Sequence, residues 1–205
     1  MILKAEQIAE LLTKPEEADD PLIVAPGPPI EQLRESGSAS LDIRLGTWFS
    51  TPRHTRASVL RVYPEEAKEI DDSELMKMHY VPFGRDFILQ PRSFILGATL
   101  EWLRMPRKLA GYVTARSSWG RRGLIIATAV GVHPGFTGCL GLELSNLGEI
   151  PIALQPGLAV CQLFIHRVHS TAPYVDKSCF IGMRRPSLGN IELDEIAKKL
   201  FRRPN

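Results

Sequence analysis

The chain has 205 residues, 44% hydrophobic and 23% charged, with a formal net charge of +2. That size and composition fit one globular domain on one core, and so small a net charge does not imply a general polyanion binder, although the charge is unevenly placed along the chain. The first thirty residues carry Glu16, Glu17, Asp19 and Asp20 and no long apolar run; the expectation is a cytoplasmic protein without signal peptide, spanning helix or membrane partner.

Taken in chain order, Ile8, Leu11 and Leu12 recur at helical spacing in KAEQIAELLT, which predicts a short amphipathic helix over residues 1–14. The stretch DDPLIVAPGPP should end it. From Ser38 onward glycine and proline punctuate short apolar, often β-branched or aromatic segments: LDIRL, DFILQ, SFILGATLEWL, GYVTA, LIIATAV, CLGLELS, IPIAL and LAVCQLFIH. Strands at such spacing argue for a sandwich or barrel rather than a parallel α/β sheet. Residues 64–74, PEEAKEIDDSE, hold six acids and one lysine and should form an exposed loop or short helix. At the end, Ile191, Ile196 and Leu200 fall near one helical face ahead of basic residues suited to a helix C-terminus.

Cys139, Cys161 and Cys179 are odd in number and widely spaced, which suits reduced, buried thiols better than a disulfide framework. No histidine begins an H-x-E and no C-x-x-C occurs, so the zinc deaminase arrangement is missing from the sequence. A G-x-x-x-x-G-K-[ST] loop and a G-x-G-x-x-G after a strand are likewise missing, which leaves nucleotide chemistry to another scaffold.

Two segments carry chemistry. ARSSWGRRGL concentrates three arginines, two serines and two glycines between strands; such a loop offers guanidinium forks, hydroxyls and backbone N–H groups to a phosphate chain, although a basic surface turn looks much the same. In CLGLELSN, alternation puts Leu140, Leu142 and Leu144 on one face and Cys139, Gly141, Glu143 and Ser145 on the other. Glu143 thus points away from the apolar face among small neighbours, where an ordinary solvated carboxylate is the plain alternative.

SASLDIRLG, FILQPRSFILGATLEWLRMP and the stretch from Arg116 to Gln162 together resemble the dCTP deaminase family, relatives of the dUTPases. The specific features are RSS-x-x-R-x-GL at 116–124, a T-A step at Thr128 and Ala129, a P-G-aromatic turn at 134–136, L-E-L-x-N at 142–146 and PG-x-x-x-x-Q at 156–162. RSS alone also occurs in dUTPases, whose matching strand usually lacks the glutamate. The resemblance implies a mainly β fold, a distorted jelly-roll-like β-barrel of the dUTPase type spanning 38–168, with short N- and C-terminal helices and a lid and helix over 172–205. It implies a homotrimer with sites at subunit interfaces, a small-molecule nucleotide substrate, Mg²⁺ bound only through the triphosphate, and no zinc.

By the same resemblance Glu143 relays protons between water, ring and leaving ammonia, Ser117 and Arg121 hold the water and the carboxylate, and the backbone at Thr128 and Ala129 reads the cytosine edge. Arg116 and Ser118 face phosphates, with Phe136 and Gln162 among the other binding positions. The chain departs from the family twice. His133 stands where the family has an aspartate before the P-G-aromatic turn, which argues against a diphosphatase and leaves sugar recognition open, since a neutral imidazole supplies no fixed negative charge. Phe180, Ile181 and Met183 replace polar residues of the lid, leaving Arg184 and Arg185 to clamp phosphates with help from Tyr174 or Lys177. Ala115 replaces a glycine, which extended geometry tolerates. The alternatives are a dUTPase-like diphosphatase and a non-catalytic nucleotide-sensing or nucleic-acid-binding module using Arg104, Arg107, Lys108, Arg116, Arg121 and Arg122. Nucleic acid is the less favoured partner.

Overall fold

A computed structural model of the chain describes residues 1–13, 19–54, 72–128, 131–169, 180–189 and 194–200. In chain order the elements are α1 (Ala5–Thr13), β1 (Ile23–Ala25), α2 (Ile30–Glu35), β2 (Leu41–Pro52), α3 (Asp72–Leu75), β3 (Met76–Tyr80), β4 (Phe87–Leu89) and β5 (Phe94–Arg104). They continue with β6 (Leu109–Ala115), α4 (Ser117–Gly120), β7 (Leu124–Ile126), β8 (Gly131–Val132), β9 (Thr137–Asn146), β10 (Ile152–Leu154), β11 (Ala159–Arg167) and α5 (Glu195–Leu200).

Among the described residues nine strands form one sheet along the path β7-β9-β5-β2-β11-β6-β8, with β1 added to β5 and β3 to β2, and β10 pairs with β4 in a second sheet. Every pairing is antiparallel, as short strands joined by turns require. The fold is mainly β and of the expected barrel type. Its inner face is made by alternation: Leu41, Ile43 and Leu45 of β2, Leu140, Leu142 and Leu144 of β9, and Cys161, Leu163 and Ile165 of β11 are buried, with Val160 added at the register shift of β11. Ile8 and Ala9 of α1 close one side of the same core, and Leu11 and Leu12 pack against it from its edge.

The sheet curls because its long strands break register. β2 shifts against β5 between Leu45 and Phe49, and β5 shifts against β9 between Ala98 and Trp102; such irregularities bend a strand and raise its twist. Gly46 sits in the first shift, where an added Cβ would come within 2.9 Å of the Ala98 and Thr99 carbonyl oxygens. Only a residue without a side chain lets the two backbones approach so closely.

The strand segments read from the sequence are all present, and Ala115 is extended at the end of β6. One expectation, the loop at ARSSWGRRGL, needs correction, and four short elements, β1, α2, β3 and β8, are not legible in the sequence. DDPLIVAPGPP contains β1, paired with Trp102, Leu103 and Arg104, because Val24 inserts into the core. The ARSSWGRRGL segment is not a loop throughout: Arg116 caps the short helix α4 and Arg121 closes it. The short elements α2, β3 and β8 carry too little periodicity to be read from sequence. Of the acidic stretch 64–74, α3 begins at Asp72 and the remainder lies outside the described residues, as does Ile191.

Candidate active site

Glu143 lies at the middle of β9, opposite Leu96 of β5, and its carbonyl accepts a hydrogen bond from Ala127 N–H just beyond β7 at 2.9 Å. Its side chain leaves the sheet on the face away from the core, as alternation requires. There it enters a cavity of about 510 Å³ shared with Thr128, His133, Phe136, Met183 and Arg185, a volume typical of small-molecule pockets. Glu143 Oε2 and Thr128 Oγ1 are both buried and have no hydrogen-bond partner among the described residues. A buried polar atom left unpaired costs about 1–3 kcal/mol, and such atoms converging on one cavity mark a place for a polar ligand group.

Two backbone clamps shape this cavity. Gly135 N–H donates to the Met105 carbonyl at 2.9 Å and Met105 N–H to the Phe136 carbonyl at 2.8 Å, while Phe136 N–H closes a turn on the His133 carbonyl at 3.1 Å. The P-G-aromatic turn is thereby tied to the end of β5, and His133 and Phe136 line the cavity wall. On the other side, Gly182 N–H donates to the Thr137 carbonyl at 2.6 Å and Cys139 N–H to the Met183 carbonyl at 2.8 Å. These bonds lay residues 180–189 along β9 and bring Phe180, Ile181 and Met183 over the cavity. The segment over the cavity is apolar at Phe180, Ile181 and Met183.

The three residues expected to act together are not brought into one cavity of a single chain. Ser117 and Arg121 lie on or beside α4, are exposed, and do not line the cavity that holds Glu143. Their turn is nonetheless rigidly held: Arg116 N–H donates to the Val160 carbonyl at 3.0 Å and Trp119 Nε1 to the Ala159 carbonyl at 2.9 Å. Arg116 Nη1 pairs with Asp42 Oδ2 at 3.1 Å. Ser118 is exposed and its carbonyl accepts Arg122 Nη1 at 2.7 Å.

Two further assignments change. Gln162 does not face the cavity; its Nε2 donates to Asp42 Oδ1 at 3.1 Å. Arg184 and Arg185 divide between two neighbouring hollows that share Cys139 in their linings. Arg185 lines the Glu143 cavity and stacks 4.0 Å over Trp48, whereas Arg184 borders the other hollow, of about 480 Å³, with Trp48, Trp102 and Cys139. Ala129, Tyr174, Lys177 and Cys179 lie outside the described residues. Sequence reasoning passed over Asp42 and Trp119, whose hydrogen bonds hold the α4 turn; Asp42 falls within the quoted LDIRLG, but no local pattern says that its carboxylate meets Arg116.

Three of the six cations of the basic patch considered for nucleic acid are ion-paired among the described residues. Asp20 contacts Arg104 at 3.6 Å and Arg107 at 3.3 Å, and Arg116 is paired with Asp42. Cys161 is fully buried, and burial pushes its thiol up to about 12; burial likewise raises that of Cys139. Neither favours the thiolate a nucleophile needs.

The curled antiparallel sheet, the outward glutamate of β9 and the RSS turn held against β11 are the features on which the sequence resembles the dCTP deaminases. The chain belongs to the dCTP deaminase-like family, whose model matches residues 2–168. It is 36% identical over 176 residues to a "dCTP deaminase, dUMP-forming" of Dictyoglomus turgidum, covering 83% of this chain and 87% of that one. It is 40% identical over 169 residues to a "dCTP deaminase" of Halorubrum lacusprofundi, covering 81% and 79%. A crystal structure of 2'-deoxycytidine 5'-triphosphate deaminase from Agrobacterium tumefaciens shares the fold at a TM-score of 0.58 and 22% identity; the match covers 82% of this chain and 46% of that one.

Proposed function

We propose that the protein hydrolyses the amino group of dCTP, taken as its Mg²⁺ complex, to release ammonia and dUTP, with Glu143 as the proton relay. The observation that carries this reading is the buried, unpartnered Glu143 Oε2 beside Thr128 Oγ1 in one cavity. Water attack on C4 of the cytosine ring needs a base that takes the water's two protons in turn and an acid that delivers the first to N3 and the second to the departing amino group. One carboxylate placed at the ring edge serves both, because each proton it takes is one it returns. Oxygen joins C4, the C4–N4 bond breaks, and ammonia leaves with no change in oxidation state. Zinc has no part in this scheme.

Ser117 and Arg121 complete the site from a second subunit. Their exposure on α4, away from the cavity of their own chain, supports a homotrimer in which each Glu143 cavity meets the α4 turn of a neighbour. There Arg121 and Ser117 orient the water and the carboxylate, and Arg116 and Ser118 meet phosphate oxygens; hydrogen-bond donors fixed in advance stabilise developing charge without reorganisation. His133 supports dUTP rather than dUMP as product, since no carboxylate at that place orients a water toward the α-phosphate. The Dictyoglomus relative is named as dUMP-forming, so the two outcomes divide within the family.

Ammonia release from dCTP, dCMP and CTP with Mg²⁺, with products resolved by ion-exchange chromatography, tests the reading. Ammonia and dUTP in equal amounts from dCTP are expected. Release of pyrophosphate with dUMP would remove the argument from His133, and absence of ammonia from every cytidine nucleotide would remove the deaminase.

A further inference from the structure

The outward face of β2, β11 and β6 carries a row of polar side chains that ends at the α4 turn. Gln162 is the register partner of Asp42 across β11 and β2 and of Thr114 across β11 and β6, so these residues share one face, with Arg116 two positions beyond Thr114. Asp42 has a donor on each carboxylate oxygen: Gln162 Nε2 on Oδ1 at 3.1 Å and Arg116 Nη1 on Oδ2 at 3.1 Å.

We propose that Asp42 is a positioning residue that fixes the Arg116 guanidinium toward the phosphates of the nucleotide, with Gln162 bracing Asp42 from its other side. The inference rests on the reading above that Arg116 meets phosphate. The main chain of Arg116 is already fixed by its bond to the Val160 carbonyl, and Asp42 fixes the far end of the side chain. A guanidinium has five N–H donors in a rigid fork, so an acceptor on Nη1 orients the fork and leaves its remaining donors for an anion. Holding a long side chain in its bound arrangement lowers the entropy lost when the ligand arrives. A carboxylate so close also offsets part of the attraction of Arg116 for anions. Both groups are more than a third exposed, where solvent screens that opposing effect, so orientation should prevail.

The test compares the parent with Asp42→Asn and Asp42→Glu, reading equilibrium binding of Mg²⁺-dCTP, dCMP and deoxycytidine by calorimetry together with kcat and KM for ammonia release. Asp42→Asn keeps the shape but gives up charge, and loss of one charge-assisted bond predicts dCTP affinity falling about 5- to 20-fold. KM rises with it, kcat stays within about twofold, deoxycytidine binding is unchanged, and Asp42→Glu restores part of the loss. Equal losses on all three ligands would mean a structural role and overturn the proposal; unchanged or tighter dCTP binding would mean that the carboxylate only repels phosphate, and would also overturn it. If Asp42→Asn does not fold, Gln162→Ala, which frees Asp42 without altering charge, should give a smaller loss on dCTP and none on deoxycytidine, and no difference between the two ligands overturns the brace. A parent that binds dCTP more tightly than deoxycytidine yet releases no ammonia defeats the deaminase reading and leaves Asp42 standing. A parent without that preference removes the phosphate role of Arg116, and the proposal with it.

Discussion

At the residue scale, Glu143 and Glu101 show how burial gives two carboxylates different duties. Glu143 keeps an unpaired oxygen in a cavity. Replacing it with glutamine should cut ammonia release by about 10²- to 10⁴-fold, the range for a positioned acid or base, while calorimetry still detects dCTP; unchanged turnover would reassign the relay. Glu101 is 1% exposed, and its oxygens accept Arg44 Nη1 at 2.9 Å and Arg44 N–H at 2.8 Å. Burial raises its pKa above the ordinary 4.5, and the hydrogen bonds from Arg44 only partly oppose this. A group with a raised folded pKa holds its proton more tightly in the native state, so its contribution is fully present below the unfolded value and is lost as pH rises through the folded one. In urea melts at stepped pH, the stability of the parent relative to Glu101→Gln should therefore fall as pH rises from about 4.5, and an opposite slope would show that Arg44 outweighs burial.

Elements are positioned here by what their backbones can approach. Gly46 allows β2 to pass close to β5 at the register shift; Gly46→Ala would press a methyl group against two carbonyl oxygens and should cost about 1–3 kcal/mol, as overpacking does, in chemical denaturation. Gly138 has φ of +139° and an added Cβ would meet the Met183 backbone nitrogen and oxygen at 3.1 Å. Gly138→Val should thus detach the 180–189 segment from β9 and raise KM for dCTP, with the change in melting temperature smaller than for Gly46→Ala. A KM equal to that of the parent would show that the segment does not cover the substrate.

For the whole molecule, the separation of Glu143 from Ser117 and Arg121 sets a test of assembly. Glu143→Gln and Arg121→Ala chains, each inactive alone, should regain activity when unfolded together and refolded as mixed oligomers, because some sites then pair an intact cavity with an intact α4 turn. Failure to regain activity, with mixing verified by mass, would place both residues in one chain's site. Such sharing would suit this fold, because Glu143 leaves the sheet on its outward face into a cavity walled by His133, Phe136 and the 180–189 segment, and the α4 turn of the same chain is not in that lining.

The sequence by itself determined the longer strands, the inward and outward faces of β9, and the membership of Glu143 on the polar side, because period-two alternation and glycine and proline punctuation act over a few residues. It also made the family legible through several short motifs in one order. What only the tertiary structure decided was which motif meets which. Gln162 turned out to serve Asp42, Arg184 and Arg185 parted to neighbouring hollows, and the RSS segment tightened into α4 because Trp119 and Arg116 found β11 carbonyls. Such contacts depend on strand order and on register shifts that curl the sheet, so they join residues as far apart in the chain as Asp42 and Gln162. No local pattern of residues encodes a distance of that kind.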